Sequence, residues 1–107
     1  MNEKDRRTVE NIIYYCDRLN EHIDACNDNK EIYMSNILYK DACALVIIQI
    51  DEFVGRLSKE FRIEFTGVEW QQLKGLRNIM AHNYEDIIDN IVWDIIHEDI
   101  PEIRKYY

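Results

Sequence analysis

The 107-residue chain has the size of one ordinary domain, and its 47% hydrophobic residues are enough for one core. It contains only three glycines and one proline, too few turn-forming residues for a typical all-β fold, so the composition favours helices. The net charge of −8 argues against a general nucleic-acid coat, because clustered lysine and arginine supply affinity for a phosphate backbone. A few cations focused in one cleft can still hold a phosphate.

The apolar runs and the cysteines indicate the compartment. The longest uninterrupted apolar run, residues 42–48, is far too short to cross a bilayer, so we expect a cytoplasmic protein without membrane association. Cys16, Cys26 and Cys43 are odd in number, lie in apolar helical surroundings and form no CxxC pair. This pattern argues against a disulfide framework and a zinc knuckle, and it predicts buried free thiols in a reducing compartment.

The first half of the chain predicts two long helices. Over residues 4–26 apolar side chains recur at three- and four-residue steps, which is the spacing of one helical stripe. The polar residues 27–30 predict a connection, and a second helix is expected over residues 31–59. Its centre, ACALVIIQI, is apolar nearly all the way round, whereas a bundle helix needs a polar outer face. We therefore expect a second subunit to cover part of this helix.

The second half predicts two further helices. Thr66 and Glu69 have the spacing of a capping box, so a third helix should start there and continue to about His82. A fourth helix should begin near Glu85 and run until Pro101 ends or kinks it, with a short helical tail beyond. The predicted fold is a single all-α domain over residues 1–107, an antiparallel four-helix bundle with a short C-terminal helical extension.

One short stretch of the third helix, LRNIMAHNY at residues 76–84, carries a concentration of reactive side chains. Arg77, Asn78, His82 and Tyr84 are all able to bind or transfer something. At 100° per residue the core face of this helix contains Trp70, Leu73, Leu76, Met80 and Tyr84. The opposite side carries a small and polar stripe of Gln71, Gly75, Asn78 and His82.

Two features of this helix suggest a second copy of the chain. Glycine inside a helix costs about 1 kcal/mol relative to alanine, so Gly75 on an outward face suggests that another backbone approaches closely. Arg77 and His82 point about 140° apart on an ideal helix and cannot both face one atom. Either the helix loosens near Ala81, or two copies face each other across a two-fold axis and form one cleft.

Structural roles would account for the same residues. Arg77 could form a surface ion pair with one of many carboxylates, and His82 suits the negative end of a helix dipole. Tyr84 could be a rim aromatic with its hydroxyl in water. His22 and His97 have no partner at a metal-ligand spacing and are interpreted as surface or core-edge residues. The motif offers no metal-ligand constellation, so neither a metal nor another cofactor is predicted.

The motif resembles a known signature. RNIMAHNY, residues 77–84, is similar to the RNxxxHxY signature of the HEPN superfamily, specifically of the HepT-like toxins paired with MntA-like nucleotidyltransferase antitoxins. The resemblance continues in IIQIDEFVGRL, in the W-x-x-L-x-GLRN that precedes the motif, and in IVWDIIHEDIPEI. It covers the chain from about Asp41 onward, and the first helix agrees in length and pattern only.

The resemblance implies a four-helix bundle that dimerises so that two motifs line one cleft, where RNA is cut without a metal. It implies that His82 and Arg77 are the motif histidine and arginine, that Asn78 is their polar neighbour, and that the antitoxin modifies Tyr84 with AMP. Two alternatives remain: a non-catalytic module that docks a nucleotidyltransferase or a nucleotide, and a purely structural bundle. The acidic surface favours a protein partner, whereas the intact Arg77 and His82 pair favours catalysis.

Overall fold

A computed structural model describes residues 2–64 and 85–105 of the chain. No strand occurs in these two ranges, and the all-α bundle predicted from the sequence is confirmed. The described residues form five helices, which are α1 (Glu3–Ala25), α2 (Lys30–Ser35), α3 (Ile37–Val54), α4 (Lys59–Glu64) and α5 (Glu85–Lys105).

Helix α1 begins and ends where its sequence signals predict. The Asn2 side chain accepts a hydrogen bond from the backbone N–H of Asp5 at 2.7 Å, which caps the first turn. After Ala25 the chain reverses through Asn27 and Asp28, whose φ angles are +58° and +50°. Asparagine and aspartate tolerate this left-handed conformation better than other side chains, so the polar connection predicted over residues 27–30 follows from local chemistry.

The prediction of one helix over residues 31–59 is wrong, because the structure divides this stretch between α2, α3 and the start of α4. Asn36 has an extended backbone (φ −128°, ψ 112°), and its side chain accepts a hydrogen bond from the backbone N–H of Leu38 at 2.9 Å. Asparagine can replace a helical hydrogen bond with this local one, so α2 ends and α3 begins at the same residue. A second break follows α3, where the Ser58 hydroxyl accepts from the N–H of Phe61 at 3.1 Å and starts α4.

The hydrophobic core lies between α1, α3 and α5, and α2 packs on α3. All three cysteines are buried free thiols, as predicted. Burial raises the pKa of Cys16 and of Cys43 to about 12, so neither thiol ionises near neutral pH. The core side chains with the least exposure are Ile12, Cys16, Leu19, Cys26, Tyr33, Cys43, Ile47, Ile50, Val54, Val92 and Ile95.

Helix α5 continues through Pro101 to Lys105, so of the two predicted effects of this proline, an end or a kink, the end does not occur. Proline removes only the hydrogen bond that would run to the carbonyl of His97, and the apolar side chains Ile100 and Ile103 on either side of it remain buried. The predicted tail to Tyr107 lies partly outside the described residues, and the third helix predicted over residues 66–82 lies wholly outside them. Within the described ranges, no helix is both long enough and apolar enough to cross a bilayer.

Candidate functional site

The four residues predicted to form the site are Arg77, Asn78, His82 and Tyr84, and all four lie outside the described residues. Gly75, predicted to mark a close approach of two chains, lies outside them as well. The structure describes the two helices that flank this part of the chain, α4 before it and α5 after it. The contacts that hold α4 and α5 therefore define the framework to which the motif is attached.

On the α4 side, Asp5 and Ser58 join the start of α1 to the start of α4. The Asp5 carboxylate accepts the Ser58 backbone N–H at 2.9 Å and the Ser58 hydroxyl at 2.5 Å. Burial acts to raise the pKa of Asp5, but the two hydrogen bonds from Ser58 and the nearby charge of Lys4 outweigh it and lower that pKa. Asp5 is therefore an ionised and buried carboxylate that fixes the position of α4.

Arg62 makes a second connection at the same place. Its guanidinium donates to the backbone carbonyls of Val54, Gly55 and Leu57 at 3.2, 3.3 and 3.1 Å. These carbonyls lie at the C-terminal end of α3 and in the turn after it, where helical acceptors lack partners within the helix. One cation thus satisfies three acceptors and keeps α4 folded back on the end of α3.

On the α5 side, Asp89 is held by two side chains from α2 and α3. The Tyr33 hydroxyl, on a fully buried ring, donates to the Asp89 carbonyl at 3.4 Å. The Lys40 ammonium lies 3.4 Å from the Asp89 carboxylate, and both side chains are largely buried. Burial raises the pKa of Tyr33, so its hydroxyl remains a donor at any physiological pH. The first turns of α5, directly after Tyr84 in sequence, are thereby tied to the rest of the bundle.

His97 forms a polar contact that the sequence alone did not reveal. Its Nδ1 lies 2.8 Å from the Trp93 carbonyl and its Nε2 lies 2.6 Å from the Asp28 carboxylate. Both partners are acceptors, so both ring nitrogens must donate, and the arrangement favours the imidazolium form. Burial of the ring acts to lower the pKa of His97, but the Asp28 and Trp93 hydrogen bonds and the Asp94 charge raise it. The placement of His97 at the edge of the core is as predicted, but its partner was not.

A second unpredicted feature is a surface series of aromatic rings and guanidinium groups, here called the aromatic–arginine strip. The ring centroids of Tyr14 and Tyr15 are 5.2 Å apart, and those of Tyr15 and Phe53 are 5.8 Å apart. Arg18 lies over both tyrosine rings, and Arg56 lies over the Phe53 ring. The strip consists of Tyr14, Tyr15 and Arg18 on α1, Phe53 at the end of α3, and Arg56 beyond it.

A shallow cavity of about 330 Å³ lies between α1 and the C-terminal part of α5. Two cations line it, Arg104 and Lys105, but each already has an acid nearby. Arg104 lies 3.4 Å from Asp17, and Lys105 lies 2.9 Å from Glu102. The cavity therefore has no uncompensated charge with which to attract an anion. No group of three or more His, Cys, Asp or Glu side chains suited to a metal ion occurs in the part of the chain that the structure describes.

A small all-α bundle that carries an RNxxxHxY motif between its last two described helices belongs to the class of HEPN-type helical domains. A family model described as "Ribonuclease HepT-like" matches residues 12–107. The chain therefore belongs to the HepT-like ribonuclease family.

Relatives from two organisms match nearly the whole chain. "Putative RNase MJ1380" of Methanocaldococcus jannaschii is 31% identical over 104 residues, which cover 94% of each chain. "Putative RNase TTE0752" of Caldanaerobacter subterraneus subsp. tengcongensis is 29% identical over 100 residues, covering 94% of this chain and 88% of the relative. No solved structure matches the chain significantly.

Proposed function

We propose that the chain is a ribonuclease toxin, a homodimer that cuts single-stranded RNA in the cytoplasm without a metal ion. A cognate MntA-like nucleotidyltransferase neutralises it by adding AMP to Tyr84. The observation that carries this proposal is the sequence RNIMAHNY at residues 77–84, which fills every fixed position of the RNxxxHxY signature and lies within the stretch matched by the family model. The word RNase in the names of the two relatives supports the same substrate class.

The residue types of the motif suit cleavage by the 2′-hydroxyl of the RNA. In this reaction the 2′-oxygen bonds to the neighbouring phosphorus, and the bond from phosphorus to the 5′-oxygen breaks. A base removes the 2′-hydroxyl proton and an acid protonates the departing 5′-oxygen, leaving a 2′,3′-cyclic phosphate. His82, with an ordinary pKa of about 6.5, can take either proton role, and Arg77 can bind the phosphate oxygens with two parallel hydrogen bonds. Asn78 can orient the phosphate.

The dimer supplies what one chain lacks, because two copies bring two histidines and two arginines to one cleft. Support for association comes from α3, whose outer side exposes large apolar side chains. Leu38 is 71% exposed and Leu45, two helical turns further on, is 60% exposed, and Ile37 beside them is 65% exposed. Apolar side chains grouped on one outer helix face mark a surface that meets another protein. These residues lie in and next to the segment whose all-round apolarity predicted a second subunit.

The second candidate is a non-catalytic module that docks a nucleotidyltransferase or a nucleotide. The net charge of −8 favours it, because an acidic surface repels RNA but not a partner protein that carries complementary charge. The two candidates differ in whether the motif residues transfer protons.

The test is cleavage of single-stranded RNA by purified and unmodified protein in the presence of EDTA. We expect cleavage that leaves a 2′,3′-cyclic phosphate. His82→Ala should lower the rate by about 10²- to 10⁴-fold through loss of the proton-transfer group, and Arg77→Ala by a comparable factor through loss of charge stabilisation. Asn78→Ala should have a smaller effect, because an amide carries no charge. Cleavage that EDTA abolishes and magnesium restores would contradict the mechanism. Undiminished cleavage by His82→Ala would show that the activity belongs to a contaminant or to a site that does not include His82.

Mixed dimers test whether the two chains share one cleft. If each cleft takes groups from both subunits, mixing His82→Ala with Arg77→Ala protein should restore part of the activity. Two independent sites would show no recovery above the sum of the two variants.

A further inference from the structure

We propose that the aromatic–arginine strip on α1 and the end of α3 is a docking surface for single-stranded RNA, separate from the cleavage motif. The proposal rests on the ribonuclease function proposed above for its biological meaning, since it assigns to that enzyme a place where the substrate strand is held.

The rings form a rigid platform with one open end. Tyr15 and Phe53 are partly buried and pack against the core, and their rings are stacked with an interplanar angle of 27°. Tyr14 stands at the end of the series with its ring edge to Tyr15 and is 56% exposed. An exposed ring supported by buried ones loses little conformational freedom when a base stacks on it.

The guanidinium groups lie over the same rings. Arg18 lies 5.9 Å from the Tyr14 centroid and 5.8 Å from the Tyr15 centroid, and Arg56 lies 5.0 Å from the Phe53 centroid. A cation over an aromatic face is held by the ring quadrupole and keeps its N–H groups available. The strip therefore combines one exposed ring that can stack on a base, Tyr14, with two guanidinium groups that can bind phosphates.

The strip carries two cations that form no ion pair, and the same is true of Lys4, Lys30 and Lys59 elsewhere in the described residues. Acids outnumber bases by 21 to 13 in this chain, yet neither Arg18 nor Arg56 forms an ion pair with any residue that the structure describes. The acid next to Arg18 in sequence, Asp17, is paired with Arg104 at 3.4 Å. Two guanidinium groups without an ion pair to any described residue, placed beside an exposed ring, are complementary to a polyanion that carries planar bases.

The chemistry selects a single strand. In a duplex the base faces are stacked on one another and a ring platform cannot reach them, whereas an unpaired strand exposes each face. Arginine and aromatic side chains together are the combination that single-stranded nucleic-acid sites use.

The test separates binding from cleavage. The probe is a fluorescein-labelled single strand of 2′-O-methyl RNA of about 12 nucleotides, which lacks the 2′-hydroxyl and cannot be cut by the proposed reaction. Fluorescence anisotropy should show that Tyr14→Ala weakens binding by about fivefold or more, and that Tyr14→Phe retains it. Arg18→Gln and Arg56→Gln should each reduce the slope of log K against log salt by about 0.7. The matched control is Arg7→Gln, which removes the same charge from an exposed residue of α1 that pairs with Glu3, and it should leave the slope unchanged.

Any of four outcomes would overturn the proposed docking surface. In the first, wild type binds no probe, and in the second, Tyr14→Ala binds as tightly as wild type. In the third, Arg7→Gln reduces the salt slope as much as Arg18→Gln does, and in the fourth, a duplex of the same sequence competes equally well.

A cleavage assay distinguishes failure of the docking surface from failure of the proposed ribonuclease function. Tyr14→Ala should lower kcat/KM on a long single strand and leave cleavage of a dinucleotide unchanged. Wild type that binds the probe through the strip and cuts no RNA would refute the ribonuclease and retain the docking surface. If wild type cuts RNA and Tyr14→Ala has the same kcat/KM, the ribonuclease is retained and the docking surface is refuted.

Discussion

The Asp5 carboxylate accepts both the backbone N–H and the hydroxyl of Ser58, and so joins the first turn of α1 to the start of α4. Asp5 is only 2% exposed, so its charge is separated from water and depends on Ser58 for its hydrogen bonds. The contact fixes the end of the described framework that leads into the motif segment.

Asp5→Ala should lower the free energy of unfolding by about 1.5–3 kcal/mol, the range for hydrogen bonds to a charged group. Urea unfolding followed by circular dichroism measures this change. The control is Asp17→Ala, which removes a carboxylate from an exposed ion pair on the same helix and should cost less than about 1 kcal/mol. Equal losses in the two variants would show that the Ser58 contact contributes nothing particular to stability.

The same contact should make stability depend on pH in the acid range. The folded pKa of Asp5 is lowered, so the unfolded chain binds its proton more tightly than the folded chain does. The stabilisation is fully present above the unfolded pKa of about 3.9 and is lost as pH falls through the folded value. Wild type should therefore lose more stability than Asp5→Ala between about pH 5 and pH 2. Parallel curves for the two proteins would contradict this assignment.

His97 and Asp28 should give a pH dependence of the opposite sign. The folded pKa of His97 is raised, so the ion pair stabilises the protein fully below the unfolded pKa of about 6.5 and is lost as pH rises through the folded value. Asp28→Asn should reduce stability at pH 6 by about 0.5–1 kcal/mol and have little effect at pH 9. NMR titration of the histidine ring should show a lower pKa for His97 in Asp28→Asn than in wild type. An unchanged value would mean that the Trp93 carbonyl and the Asp94 charge cause the shift without Asp28.

Periodicity predicted the long helices because apolar spacing records which face is buried, and α1 and α5 follow their predicted ranges closely. The break at Asn36 could not be found in this way. Apolar residues continue on both sides of it, and the bend shows only in the structure, in the extended backbone of Asn36 and in the hydrogen bond that its side chain accepts from the N–H of Leu38. A single asparagine within a periodic run is compatible with a helix or with a cap, and packing decides between them.

Of the candidate functional features, the sequence likewise revealed those that are local in the chain and missed those that join distant parts of it. The motif at residues 77–84 could be found from sequence because its residues are close together in the chain. The aromatic–arginine strip could only be suspected, because Tyr14, Tyr15 and Arg18 have helical spacing, but the contact of Tyr15 with Phe53 joins two helices. The pair of His97 with Asp28 likewise joins distant parts of the chain, and no local pattern announces it.

Dimerisation through the outer face of α3 predicts a specific effect of charge. Leu45→Glu should convert a dimer into a monomer at tens of micromolar, about the concentration at which a standard-size interface is saturated, because the glutamate would have to be buried without a partner. Light scattering measures the mass. Asn11→Glu, which adds the same charge to an exposed position of α1, is the control and should remain dimeric. Monomeric wild type under these conditions would exclude the dimer.

Gly75 gives a second and independent measurement of the same interface. If another backbone approaches it across the two-fold axis, Gly75→Leu should weaken association. Dimers of unchanged affinity would mean that the glycine does not lie at the contact between subunits.

Tyr84 is the residue on which the antitoxin is proposed to act. AMP attached there would add a bulky anion two residues from His82 and repel an incoming phosphate, so modification should abolish cleavage without unfolding the protein. Intact mass spectrometry after coexpression with the cognate nucleotidyltransferase should show added AMP on wild type and none on Tyr84→Phe, and Tyr84→Phe should remain an active ribonuclease that the antitoxin fails to silence. Tyr14→Phe, which removes an exposed hydroxyl elsewhere, is the control and should be modified like wild type. An unmodified wild-type protein that the antitoxin nevertheless silences would show that neutralisation occurs by binding alone.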